Sequence, residues 1–257
     1  MSDVDLSAFK DRPTTAGVFM DFDGTLSEIV ADAAAARPAE GVVDLLRDLA
    51  NRLAVVAIVS GRSAHQLLDW LGPEVEIWGS HGAERTIDGR VEVDERGRPY
   101  LDVMRRVADE ARRALDEDGV AVEDKGVMLG LHYRQAADTA SAAMLVERVA
   151  RDLASRHGLT VGKGRMVVEL KPPVDFTKAD VVRRRARELE LKAAAFIGDD
   201  LVDLPAFDAL DELAREAVAT VRVGVDSPEA PDEVVARADV VVDGPNGVVE
   251  WLSLLLD

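Results

Sequence analysis

The sequence predicts an α/β protein in which a parallel sheet, covered by helices on both faces, is interrupted by a smaller α+β unit. Three observations predict it. Toward both ends of the chain, short apolar runs alternate with amphipathic segments, the rhythm of a parallel sheet with crossover helices. The stretch between them carries turn signals and paired strand patterns around two long helical patterns, which suits an antiparallel sheet backed by helices. The length of 257 residues, 47% of them apolar and 31% charged, is enough to bury a full core.

Ala16 to Phe22 is an apolar run that ends in acidic residues and Gly24, as a buried parallel strand opening into a loop does. Within Glu40 to Arg52 the residues Val42, Val43, Leu45, Leu46 and Leu49 recur at helical spacing. Leu53 to Val59 is a second buried strand, Ser63 to Leu71 a helix and Val75 to Trp78 a short third strand. Asp88-Gly89-Arg90 then breaks the rhythm with a turn. Tyr100 to Glu117 reads as a helix, Val120 to Arg134 as two strands bending near Lys125-Gly126, and Asp138 to Arg156 as another helix. Leu159 to Leu170 makes one or two strands before the break at Pro172-Pro173. After the prolines come a helix at Lys178 to Leu191, a buried strand at Ala193 to Gly198 and a helix at Leu204 to Ala214. Strands at Val218 to Val225 and Val240 to Val242 and a helix at Gly247 to Leu256 finish the chain. The expected organisation is a discontinuous core at 1–86 and 174–257 with an insert at 87–173.

Composition narrows the partners. Lys and Arg number 31 against 49 Asp and Glu, a net charge of -18, so the long-range field repels nucleic-acid backbones and anionic lipid surfaces. A phosphate-bearing substrate meets the same field and requires concentrated local positive charge from a metal ion and a lysine. Cysteine is absent, which rules out disulfides and thiolate ligands. The N-terminus lacks a basic start followed by an apolar stretch, so a cytoplasmic protein is expected.

The chemistry-bearing residues gather at strand ends. Asp21-Phe22-Asp23-Gly24-Thr25 follows the first strand, and the carboxyl end of a parallel strand is where ligands bind. Residues i and i+2 of a strand share a face, so Asp21 and Asp23 converge on one point. Gly24 lets the backbone turn closely, and the Gly24 and Thr25 amides are placed to face an oxyanion. The same residues also suit an acidic turn. Gly198-Asp199-Asp200-Leu201-Val202-Asp203 follows a later strand; clustered carboxylates there favour a hard cation such as Mg²⁺, and Asp is also at home at a helix start. Ser60-Gly61-Arg62 offers a hydroxyl and an amide to a phosphate where a helix begins, or a plain Ser cap. Lys178 opens a helix and supplies the required cation.

In this chain order, the four segments resemble the motifs of the haloacid dehalogenase superfamily, which has a Rossmann-like core and an inserted cap. The resemblance implies that Asp21 is phosphorylated, that Asp23 acts as acid and base, and that Lys178 supports them. It implies Mg²⁺ held by Asp21, Asp23, Asp199 and Asp200, with Asp23 acting through its carbonyl. The insert looks like the cap of the superfamily's sugar-phosphate branch. Ser60-Gly61-Arg62, Gly79-Ser80-His81-Gly82-Ala83-Glu84, Glu123-x-Lys125, His132-Tyr133-Arg134 and Glu169-x-Lys171-Pro172 are similar to segments of trehalose-6-phosphate phosphatases. That likeness implies a sugar phosphate as substrate, bound by Gly24, Thr25, Ser60, Gly61, Arg62, His81, Gly82 and Arg134, with Glu123, Lys125 and Glu169 gripping the sugar hydroxyls. A cognate trehalose-phosphate synthase is the expected protein partner. Other capped sugar phosphatases, and a catalytically silent sugar-phosphate sensor, stand as rival readings. His65, His157, Trp70 and Trp78 read as helix surface or core.

Overall fold

The computed structural model describes residues 4–30, 35–164, 166–228 and 230–256. The chain divides into two compact units, one made of Met1–Glu92 with Phe176–Asp257, the other of Val93–Asp175.

The first unit is built on an eight-stranded sheet. Its strands are β1 (Ala16–Met20), β2 (Val55–Val59), β3 (Glu76–Gly79), β4 (Glu84–Ile87), β5 (Arg90–Val93), β10 (Ala193–Gly198), β11 (Ala219–Asp226) and β12 (Val240–Asp243). They lie in the order β12-β11-β10-β1-β2-β3-β4-β5. Every pairing from β12 to β3 is parallel, and β4 runs antiparallel to β3. Strand residues alternate between two cores, as the period of two demands. Val18, Met20, Val56, Ile58, Ala195 and Ile197 pack on one side with Leu46 and Leu49 of α2 (Val42–Arg52), Leu67 of α3 (Ala64–Leu71) and Leu252 of α9 (Gly244–Ser253). Phe19, Ala57, Ala194 and Phe196 face the other way, against Val182 of α6 (Lys178–Glu188), Phe207 and Leu210 of α7 (Leu204–Arg215) and Val234 of α8 (Asp232–Arg237). Helices therefore cover both faces, and strands buried on both sides read as continuous apolar runs.

Four elements were not legible in the sequence: the short helix α1 (Ser7–Asp11), the helix α8 and the strands β4 and β5. The turn at Asp88-Gly89 lies between β4 and β5, which extend the first unit's own sheet rather than opening the insert. The second unit consequently begins at Val93 and ends at Asp175.

That second unit is a four-stranded antiparallel sheet with two helices. The strands β6 (Ala121–Asp124), β7 (Leu129–His132), β8 (Thr160–Gly164) and β9 (Val167–Lys171) take the order β6-β7-β9-β8. Leu129, Leu131, Val168 and Leu170 point to one face and meet Met104, Val107 and Ala111 of α4 (Leu101–Ala114) and Val146, Ala150 and Leu153 of α5 (Thr139–His157). The residues between them point to the opposite face. No helix among the described residues is long and apolar enough to cross a membrane.

Candidate active site

The strand order places the site. β1 lies between β2 and β10, so the connections diverge to opposite sides of it, and the crevice at such a switch point is where open α/β sheets bind ligands. Asp21 follows β1, Ser60 follows β2 and Asp199 follows β10, all at carboxyl ends. Lys178 is the first residue of α6, whose Thr177 cap accepts from the Asp180 amide.

Asp21, Asp199 and Asp203 are buried and each offers an oxygen within 4.8 Å of the others. Lys178, 2% exposed, lies 2.8 Å from Asp21 Oδ1 and donates to Asp203 Oδ1 at 2.7 Å. Burial pushes the Asp21 carboxyl up to about 7 against the pull of Lys178, with Asp203 adding to the rise. Burial also raises Asp199, to about 8, with Asp21 and Asp203 reinforcing it. Desolvation works against the Lys178 ammonium, yet Asp203 and Asp21 outweigh it and hold its pKa above the ordinary value. The physical reason is charge count: one ammonium neutralises only one of three buried carboxylates. Two negative charges remain, and an all-oxygen donor set with that excess fits a hard divalent cation. Both oxygens of Asp203 are committed, Oδ1 to Lys178 and Oδ2 to the amides of Asp199 and Asp200. Asp21 and Asp199 are thus the members best placed to turn an oxygen to a cation.

This cluster differs from the expected ligand set. The carboxylate of Asp200 accepts from the Leu201 amide at 2.6 Å and caps the turn that follows, so Asp203 takes its place as the third acid. The sequence places Asp203 in the same acidic segment but reads it as a helix-start acid and not as a member of the ligand set; in the structure it also closes a capping box with Asp200. The carboxylate of Asp23 is also outside the cluster. Arg62 grips it with both arms of its fork, Nε to Oδ2 at 2.8 Å and Nη2 to Oδ1 at 2.7 Å. Arg62 was expected to bind substrate, but a guanidinium buried this deeply requires a carboxylate. It lies over the rings of Phe22 and Trp70, at 5.6 and 5.0 Å from their centroids, so Trp70 is part of the platform that fixes it.

Gly24 has φ +80°, and a Cβ there would stand 2.1 Å from Asp199 Oδ2; the glycine makes room for that carboxylate. The Gly24 amide donates to Ser27 O and the Thr25 amide to Phe22 O. The expected oxyanion nest at these two amides is therefore not formed, because the tight turn uses them itself. Thr25 is buried, its hydroxyl 3.5 Å from Asp199 Oδ1. Ser60 is not a helix cap, since Ser63 fills that role for α3. Gly61 lies against the His81 ring, which a Cβ would meet at 2.9 Å. The loop from Ser80 to Gly82 is stitched to the Ser60 loop through Ser80 N to Arg62 O at 2.7 Å and His81 N to Ser60 O at 2.8 Å. Ser80 and His81 both adopt positive φ, a strained conformation that the paired loops impose.

In the second unit, Lys125 Nζ stands 3.6 Å from Glu123 Oε2 and 3.7 Å from Glu169 Oε1. The three residues expected to grip a sugar are therefore brought together on the sheet face away from that unit's core. Arg134 lies in the turn after β7.

The family profile described as trehalose-phosphatase matches residues 19–239. The trehalose-phosphate phosphatase of Mycobacterium marinum is 39% identical over 201 residues, covering 75% of this chain and 51% of that protein. The one from Mycobacterium tuberculosis is 37% identical over 202 residues, covering 75% and 51%. The chain thus spans about half the length of the curated relatives it matches. Among solved structures, the C-terminal domain of trehalose-6-phosphate phosphatase from Candida albicans superposes with a TM-score of 0.72 at 23% identity, covering 94% of this chain and 92% of that one. A haloacid dehalogenase-like hydrolase from Bacteroides thetaiotaomicron gives 0.61 at 13% identity, covering 93% and 99%. These two likenesses speak to the fold.

Proposed function

The chain belongs to the trehalose-phosphatase family, and from that premise we propose that it hydrolyses trehalose 6-phosphate to trehalose and phosphate, with Mg²⁺, through a phospho-aspartate on Asp21. The observation that carries the reading is the buried Asp21–Lys178–Asp203 cluster with Asp199 beside it, at the carboxyl ends of adjacent parallel strands.

Asp21 and Asp199 would hold the cation, with the Asp23 carbonyl as a further ligand. When bound, the cation supplies neutralising charge for the phosphoryl oxygens and keeps both carboxylates ionised. Asp21 attacks phosphorus in line, and Lys178 stabilises the charge that spreads over the transferring group. Ser60 donates a further hydrogen bond to it. Asp23, oriented by Arg62, protonates the leaving sugar oxygen and then takes a proton from the water that opens the phospho-aspartate. In the second unit, Glu123, Lys125 and Glu169 present acceptors and a donor of the kind that sugar hydroxyls pair with. A cognate trehalose-phosphate synthase, which would make the substrate, is the proposed partner.

The test is phosphate release across trehalose 6-phosphate, sucrose phosphate, a glycosyl phosphoglycerate and p-nitrophenyl phosphate, with Mg²⁺ or with chelator. Trehalose 6-phosphate should be preferred and chelator should abolish turnover. Preference for another sugar phosphate would overturn the substrate; no turnover with Mg²⁺ would favour the silent sensor.

A further inference from the structure

The polar face of the second unit's sheet has a repeating arrangement. Cross-strand register sets Glu123 opposite Gly130, Gly130 opposite Glu169, and Glu169 opposite Gly162. Acid and glycine alternate across all four strands. A glycine inside a strand costs stability, because it adds backbone entropy to the unfolded chain and packs nothing. These two make no contribution to the apolar core on the other face, so the reason for them lies on the polar face.

The space above each glycine is filled by a neighbouring nitrogen-bearing side chain reaching for a glutamate. His132 Nε2 lies 2.8 Å from Glu123 Oε2, and a Cβ built on Gly130 would stand 2.8 Å from that nitrogen and 3.2 Å from that oxygen. The contact passes directly over Gly130. At Gly162 a Cβ would meet Lys171 Cε at 2.9 Å and Nζ at 3.0 Å, and Lys171 Nζ lies 3.7 Å from Glu169 Oε2. Lys125, 8% exposed, sits between the two glutamates. His132, Glu123, Lys125, Glu169 and Lys171 form an alternating chain of nitrogen donors and carboxylates over a glycine floor.

We infer that Gly130 and His132 are positioning residues for Glu123: the missing side chain at Gly130 opens the lane through which the His132 imidazole reaches and orients the Glu123 carboxylate. An ionised carboxylate only accepts, so Nε2 carries a proton in either charge state of the ring. His132 and Lys125 both hold Oε2, which fixes the direction of the group. The inference rests on the proposed role of Glu123 in gripping the sugar.

The experiment compares Glu123→Ala, His132→Ala, His132→Gln, Gly130→Ala and the double variant Gly130→Ala/His132→Ala. Each is assayed with Mg²⁺ for kcat and KM on trehalose 6-phosphate and on p-nitrophenyl phosphate. His132→Ala and Gly130→Ala should each lower kcat/KM for the sugar phosphate by about fivefold, the worth of one hydrogen bond, and leave the aryl phosphate unchanged. The double variant should be no worse than either single one, because both remove the same contact. Glutamine, whose amide donates from nearly the same place, should restore most of the loss. A selective loss in Glu123→Ala with none in His132→Ala would overturn the inference and leave the functional reading intact. Additive losses in the double variant would also overturn it, since Gly130 would then act apart from the histidine. If Glu123→Ala spares the sugar phosphate, the reading itself falls and the inference with it. Should Gly130→Ala unfold, the His132 pair decides alone.

Discussion

At the scale of single residues, three buried carboxylates share one ammonium, and they are not equivalent. Asp199 has negative neighbours, which together with burial raise it to about 8, while Asp203 satisfies Lys178 and two backbone amides. Replacing them should therefore have opposite effects on the metal-free protein. Asp199→Asn replaces an acid that burial and its negative neighbours force to hold a proton with a neutral amide that carries no such cost, and should raise the melting temperature measured at neutral pH in chelator, while losing the rise that Mg²⁺ confers on the wild type. Asp203→Asn turns an amide toward a buried ammonium and should lower stability by about 3 kcal/mol, the cost of breaking one side of a buried pair. Equal shifts of the same sign in the two variants would refute the distinction. Asp21→Asn should abolish phosphate release while leaving the circular dichroism spectrum intact, because an amide is a far poorer nucleophile. Retention of near wild-type turnover would sink the covalent mechanism.

Among the elements, glycines decide where loops meet. A Cβ on Gly79, at the end of β3, would stand 2.2 Å from the Ala64 amide and 2.8 Å from its Cα. Both are backbone atoms at the start of α3, which cannot move aside as a flexible side chain does. The same helix start is held by buried Glu84, which accepts from Ala64 N at 2.8 Å. Gly79→Ala should then destabilise by roughly 1–3 kcal/mol through overpacking, read as a lower urea midpoint with unchanged slope. It should also lower turnover, since the displaced helix start carries with it the Arg62 segment that holds Asp23. A midpoint within error of the wild type would show that the loop yields without strain.

For the whole molecule, the consequence is a stability that depends on pH and cation together. Asp21 and Asp199 rise from 3.8 to about 7 and about 8 in the folded protein. The folded state therefore keeps protons that the unfolded chain releases above about pH 4, and stability from these groups is present below that pH and lost as pH climbs toward 8. In chelator the melting temperature should fall across that window, and the increment from Mg²⁺ should grow over the same range as cation replaces proton. An increment independent of pH would mean that the cation binds elsewhere. Which parts of this were readable in advance follows from how local each cause is. The alternation of apolar runs and the Asp and Gly residues at strand ends depend on near neighbours, so the sequence by itself determined the fold class and pointed to the strand-end residues; that the second unit starts at Val93 and not at 87 was decided by β4 and β5 joining the first sheet. Ser60 and Lys178 were likewise legible as loop and helix-start residues. The partnerships were not. Lys178 with Asp203, Arg62 with Asp23 and Thr25 beside Asp199 join residues 25, 39 and 174 positions apart. Only the order in which β10, β1 and β2 lie side by side brings them within reach, and that order is set by packing on both faces of the sheet, which no local pattern encodes. The same tertiary packing decided that Arg62 faces Asp23, that Asp203 completes the acid cluster, and that His132 crosses Gly130 to meet Glu123.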